Sequence, residues 1–226
     1  MDKTLRTIRS EIEKDKEGII PDVTLVIDTN ILADHAWSRD SNVTHLIDEI
    51  IPEHPDFLIV VPQICKVEFK LITKEEVNAW KTLQQEIIKK IKDLKRYDGF
   101  EELYNGFKEN ADRLNELIIK LKYAPKEEIE ILSNLMLFFS QSLPEQYEIA
   151  YYISKDPEYG LLFDDALIFS FVKLVGKSLE SDSKVLFLTK DRDFAVEKVL
   201  KELDEADIET YFNSGKCLQR IKDLLI

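Results

Sequence analysis

The chain is poor in the residues that build stapled or metal-knotted proteins: it has two cysteines, Cys65 and Cys217, in 226 residues. They lie far apart and in no metal-ligand spacing, which excludes a disulfide scaffold and a zinc finger. Glycine is scarce too, six in all, and none forms a phosphate-cradling loop. No run approaches the roughly 20 apolar residues of a membrane span; the richest, Phe57 to Val61, is strand-sized, so no membrane association is expected. The start, MDKTLRTIRSEIEKDKEG, is too polar for the apolar core of a secretory signal, and the expected address is the cytosol. Positive charge is in deficit as well: 31 Lys and Arg against 44 Asp and Glu give a net −13. That balance argues against a protein that grips DNA or RNA through bulk charge, because such binding runs on phosphate neutralisation. An enzyme whose acidic site holds a cation and meets a phosphodiester locally remains open. What is present is 44% hydrophobic and 33% charged residues, enough for a packed core under a charged surface.

Periodicity divides the chain into three parts. Residues 1–20 place Leu5, Ile8 and Ile12 at helical spacing and predict an amphipathic N-terminal extension ending near Gly18, with Pro21 as a breaker. Residues 21–73 and 157–226 alternate strands with helices. Val23 to Asp28, Phe57 to Val61 and Lys184 to Thr189 read as buried strands, with Ile208 to Phe212 as a short fourth. Asp164 to Gly176 reads as a buried helix stopped by glycine, and Asp191 opens another helix running to about Leu203. That alternation predicts a doubly wound parallel sheet. Residues 74–156 lack strand signals and carry apolar stripes at helical spacing: Trp80, Leu83, Ile87, Ile91 and Leu94; then Leu114, Leu117, Ile118 and Leu121; then Ile131, Leu135, Phe138 and Phe139. Separated by Pro125 and Pro144, they predict an all-helical insertion of three or four helices.

The acidic residues fall at telling places on this scheme. Asp28 ends the first strand, Glu68 lies in the helix after the second, Asp164 and Asp165 open the buried helix, and Asp191 and Asp193 follow the third strand. In an open parallel sheet, residues just past the strand C-termini gather along one edge. Two unit charges about 4 Å apart repel by about 4 kcal/mol at an effective dielectric near 20, and a helix N-terminus returns only about 0.3–1 kcal/mol. The larger relief comes from protonation or a cation. Oxygen donors without His or Cys suit a hard ion, Mg²⁺ or Mn²⁺, and such ions serve phosphodiester hydrolysis.

Val26-Ile-Asp28-Thr-Asn-Ile-Leu32, Val61-Pro62 through Glu68, Asp164-Asp165-Ala-Leu-Ile168 and Leu188-Thr-Lys-Asp191-Arg-Asp193-Phe194 occur in this order. Together they resemble the PIN-domain nucleases, over about residues 22–73 and 157–213. The resemblance implies a three-layer α/β/α sandwich around a parallel sheet and a Mg²⁺- or Mn²⁺-dependent endoribonuclease. It implies Asp28, Glu68, Asp165 and Asp191 as catalytic metal ligands, with Asp193 as an additional member. Asp164 doubles the third acidic position; Asp165, directly before Ala166, is the choice. Asn30 matches the polar position that orients the first Asp or a water. The chain departs from compact members, many of them toxins of toxin–antitoxin pairs, by its helical insertion and N-terminal extension; larger PIN-like proteins, some linked to defence, are closer in size.

Each motif also has a structural reading on its own, as a strand end, a helix cap or an exposed charge, and only their joint order favours chemistry. Lys81 to Arg96 carries a local charge of +4, and Lys89, Lys92 and Arg96 share one helix face at about 100° per residue. That face is either solvated or a contact for an RNA substrate, with Tyr97 and Phe100 following as possible stacking rings. Cys65 reads as a small buried hydrophobe, His35, His45 and His54 as surface residues, and Trp37 and Trp80 as core or interface. Phe138-Phe139 is core, or the contact for a protein partner or homodimer. The alternatives to the nuclease are a toxin or defence-system subunit whose main role is partner binding, and a non-catalytic α/β module.

Overall fold

The computed structural model describes residues 2–94, 101–140 and 143–225. It divides into two compact units, Met1–Glu68 with Ile131–Ile226, and Phe69–Glu130. The first unit is an α/β/α sandwich. Its strands β1 (Val23–Ile27), β2 (Phe57–Val61), β3 (Leu137–Phe138), β4 (Lys184–Leu188) and β5 (Ile208–Tyr211) form one parallel sheet in the order β3-β2-β1-β4-β5. Leu25 pairs with Ile59 on one side and Leu186 on the other. Every residue of β1 and β2 is buried, as near-continuous apolar strands require when helices cover both faces.

The helices are α1 (Asp2–Asp15), α2 (Thr29–Ala36), α3 (Ser41–His45), α4 (Ile51–Glu53), α5 (Gln63–Leu94), α6 (Glu101–Leu132), α7 (Pro144–Lys155), α8 (Phe163–Leu179), α9 (Glu197–Asp204) and α10 (Ser214–Leu224). A π-helical turn, Leu46–Ile50, joins α3 to α4, and a 3₁₀ turn, Arg192–Ala195, precedes α9. α8 is apolar almost all round, as a central helix must be. α1, α7 and α9 pack on it, while α2 and α10 pack on α3. From α1 it receives the Thr4, Ile8 and Ile12 side of the helix, all three buried. Phe139, just past β3, meets Phe171 of α8 edge-on at 4.9 Å; each such buried ring contributes about 1.5–3 kcal/mol.

Several boundaries differ from the sequence reading. The helix after β2 does not stop near residue 73 but runs unbroken to Leu94. α6 runs through Pro125 to Leu132, so the second unit has two long helices among its described residues. The third apolar stripe is not a helix: the chain turns after Leu132, and Leu137–Phe138 joins the sheet edge beside β2. An edge strand of two residues carries too little alternation to be read. Trp80, read as core or interface, is 41% exposed, and Leu83 and Ile87 of the same stripe are 44% and 38% exposed, whereas Val77, one turn earlier, is buried. Gly176 does not stop α8, which runs on to Leu179 and is capped by Glu180 with φ 46°; it admits Ile208 and Ala206 from the β5 side. No helix among the described residues is long and apolar enough to cross a membrane.

Candidate metal centre

The strand order reverses between β1 and β4: the chain leaves β1 for β2 on one side, and β4 pairs on the other. In open parallel sheets a crevice forms outside the carboxyl ends at that point. Asp28 stands there, one residue past β1, as the N-cap of α2. It is only 4% exposed, and an isolated carboxylate so deeply placed is costly. Three donors answer that: the Thr29 amide, Asn30 Nδ2 at 2.8 Å and Thr189 Oγ1 at 2.7 Å. Burial still pushes its pKa up, helped by the charge of Asp191, against the hydrogen bonds from Thr189, Thr29 and Asn30.

Two bridging residues tie the loop after β1 to the loop after β4. Thr189 donates to Asp28 and accepts the Asp191 amide at 2.9 Å. Asn30 donates to Asp28 and accepts the Lys190 amide at 3.1 Å. Asp191 in turn caps the 3₁₀ turn by accepting the Asp193 amide at 2.8 Å. Lys190 itself turns outward, its ammonium between Asp34 and Asp40. Burial opposes ionisation of Asp40, but bonds from Lys190, Ser214 and the amides of Asn42 and Val43 hold it down at about 2.

The remaining carboxylates come from both flanks. Glu68, in the second turn of α5, accepts from the Thr29 hydroxyl. Ligand atoms of Asp28, Cys65 and Glu68 lie within 4.8 Å of one another, as do those of Asp165, Asp191 and Asp193. Asp165 is half-buried in the first turn of α8, whereas Asp164 beside it is exposed. Burial, then the charges of Asp191, Asp28, Glu68 and Asp193, push Asp165 up to about 7. Glu68 is raised by burial and by Asp28, Asp164 and Asp191, against the Thr29 hydrogen bond.

The cluster therefore gathers Asp28, Glu68, Asp165, Asp191 and Asp193 and leaves Asp164 at its rim. Carboxylates forced together until protons return have the donor chemistry to hold a hard divalent cation. Cys65 adds little to that set: burial, then the charge of Asp28, raises its thiol well above the usual range. It stays protonated against the Ile27 carbonyl, 3.9 Å away. Lys89 and Lys92 are exposed on α5 in the second unit, and Arg96, Tyr97 and Phe100 lie outside the described residues. His35 is less exposed than read, its ring paired with Asp48. Cys65 is buried, as read; the sequence reading gave Thr29 and Thr189 no part in the site. Thr189 carried a usable signal: it is a hydroxyl at a strand's carboxyl end, two residues before Asp191. No family model, no curated protein and no solved structure matches this chain.

Proposed function

We propose that this protein is a Mg²⁺- or Mn²⁺-dependent endoribonuclease of the PIN-like kind, hydrolysing phosphodiester bonds in single-stranded or structured RNA. One observation carries the reading: five carboxylates from four separate chain segments gather at the strand-order reversal, where burial first and then the neighbouring charges push Asp165 up to about 7. Asp28, Glu68, Asp165 and Asp191 would hold the ion, with Asp193 at the exposed edge. A divalent ion bound there supplies an activated water nucleophile and offsets the negative charge that develops on the phosphate.

The chain's own groups do the positioning. Thr189 and Asn30 keep Asp28 in one orientation and fix the start of the loop bearing Asp191. Thr29 holds Glu68 from the opposite side. A preformed ligand set of this kind spends no reorganisation at the moment of reaction. The test is cleavage of a mixed RNA pool in Mn²⁺. Asp28→Asn and Asp191→Asn are each expected to lower it by more than the roughly 10–100-fold that loss of a supporting partner brings, with circular dichroism unchanged. RNA left intact by the parent protein in both Mn²⁺ and Mg²⁺ overturns the reading.

A further inference from the structure

Lys190 is held at both of its ends by one helix. Its amide donates to Asn30 Oδ1 at 3.1 Å and its ammonium donates to Asp34; the two acceptors are four residues apart, on one face of α2. The ammonium also bonds Asp40 Oδ2 at 2.7 Å. Asp40 is fixed in turn: that same oxygen accepts the Ser214 hydroxyl at the start of α10, and its other oxygen caps α3 through the Asn42 and Val43 amides. An ion pair on an open surface contributes little, but the Asp34 and Asp40 side chains are only 13% and 12% exposed. One side chain thus ties the loop after β4 to α2 directly and, through Asp40, to the starts of α3 and α10.

The loop's geometry gives that tie its consequence. Asp191 has extended backbone, in which successive side chains leave on opposite sides. Thr189 is buried and bonds Asp28, Lys190 turns outward to its two carboxylates, and Asp191 comes back to within 4.8 Å of Asp165 and Asp193. Holding the middle residue therefore sets the direction of both neighbours. A restraint is needed there, because the carboxylates around Asp191 repel it and the turn that follows answers it with one amide, that of Asp193. The ammonium cannot offset that repulsion itself: one cation shared by two anions has no positive charge to spare for the cluster or for a phosphate.

We propose that Lys190 is a positioning residue of the metal centre: locked between Asp34 and Asp40, it holds the loop after β4 so that Asp191 stays within ligand reach of Asp165 and Asp193 against their mutual repulsion. Its effect on a bound ion rests on the reading of the cluster as a cation site; its hold on the loop does not.

Lys190→Met keeps the stem and removes the charge, Lys190→Arg keeps the charge, and Asp34→Ala opens the lock from its other side without touching the α3 cap. Isothermal titration with Mn²⁺ gives one readout, and its sign is decisive. Loss of a cation near an acidic cluster tightens Mn²⁺ binding by field alone, whereas loss of a positioning group weakens it. Lys190→Met is expected to weaken it about 10-fold, the lower end of what removing an orienting partner brings, and Lys190→Arg to keep most of the parent affinity. Hydrogen exchange in EDTA gives the other, since the amides of Thr189, Lys190 and Asp191 are bonded to Tyr211, Asn30 and Thr189. Exchange across residues 189–193 should quicken in Lys190→Met and in Asp34→Ala, with the β1 amides as slow as in the parent protein. Mn²⁺ affinity that is unchanged or tighter in Lys190→Met overturns the proposal. So does quickened exchange that extends to β1, because Lys190 then serves the fold as a whole. RNA affinity lost in EDTA with Mn²⁺ affinity intact overturns it too, the ammonium being then a phosphate contact. A parent protein that binds no Mn²⁺ overturns the metal-centre reading, and hydrogen exchange still decides the hold on the loop.

Discussion

Thr189 serves two carboxylates at once, donating to Asp28 and accepting the amide of Asp191. A hydroxyl is the smallest group that does both, and it is fully buried, so water has no room to replace it. Thr189→Val keeps the shape and removes both bonds. Isothermal titration with Mn²⁺ should show affinity down by about 10–100-fold, the usual effect of losing a partner that orients a ligand, while Thr189→Ser keeps most of it. Unchanged affinity in Thr189→Val would show that the two loops hold their geometry without this clamp. Asn30 plays the parallel part with Lys190.

Among the elements, α8 links chemistry to stability because its two ends do different work. Its first turn presents Asp165; eleven residues on, about 16 Å along the axis, Gly176 meets β5. A Cβ at Gly176 would sit 2.7 Å from Ile208 Cδ1 and 2.9 Å from the Ala206 carbonyl oxygen. In an exposed helix Gly→Ala gains about 1 kcal/mol. Here the overpacking term, typically about 1–3 kcal/mol, wins, because a backbone carbonyl cannot step aside. Gly176→Ala is expected to lower Tm by several degrees, at about 2–4 °C per kcal/mol for a chain of this size, with Mn²⁺ affinity unaltered. A rise in Tm on thermal melting would show that β5 yields.

At the scale of the whole molecule, the acidic cluster sits in a protein already strongly negative, and pH acts on both. Asp165 has an ordinary value of 3.8 and a folded value of about 7. Between these the folded state binds more protons than the unfolded, so stability falls as pH rises. The contribution is fullest below 3.8 and is lost by the time pH passes about 7. Thermal melts without divalent ions should show Tm decreasing from pH 5 to pH 8, and Asp165→Asn should flatten that decline. Saturating Mn²⁺ should raise Tm more at pH 8 than at pH 5, since an ion bound only by the folded state stabilises it by mass action and competes with protons. A larger gain at pH 5 would run against a cation-binding role for the cluster.

Much of the first unit was legible because its signals are local. The runs read as strands at Val23 to Asp28, Phe57 to Val61 and Lys184 to Thr189 cover β1, β2 and β4, and Asp28, Glu68 and Asp191 were placed by where those strands end, Asp165 by the start of the buried helix. β3 was not legible, since two residues hold no period. By itself, the sequence determined the alternation of strands and helices and the chain positions at which carboxylates occur, because hydrophobic period and helix-capping chemistry act over a few residues. Only the tertiary structure decided the strand order and the Thr189 and Asn30 bridges. These depend on which distant segments become neighbours, and that is set by packing of the whole core.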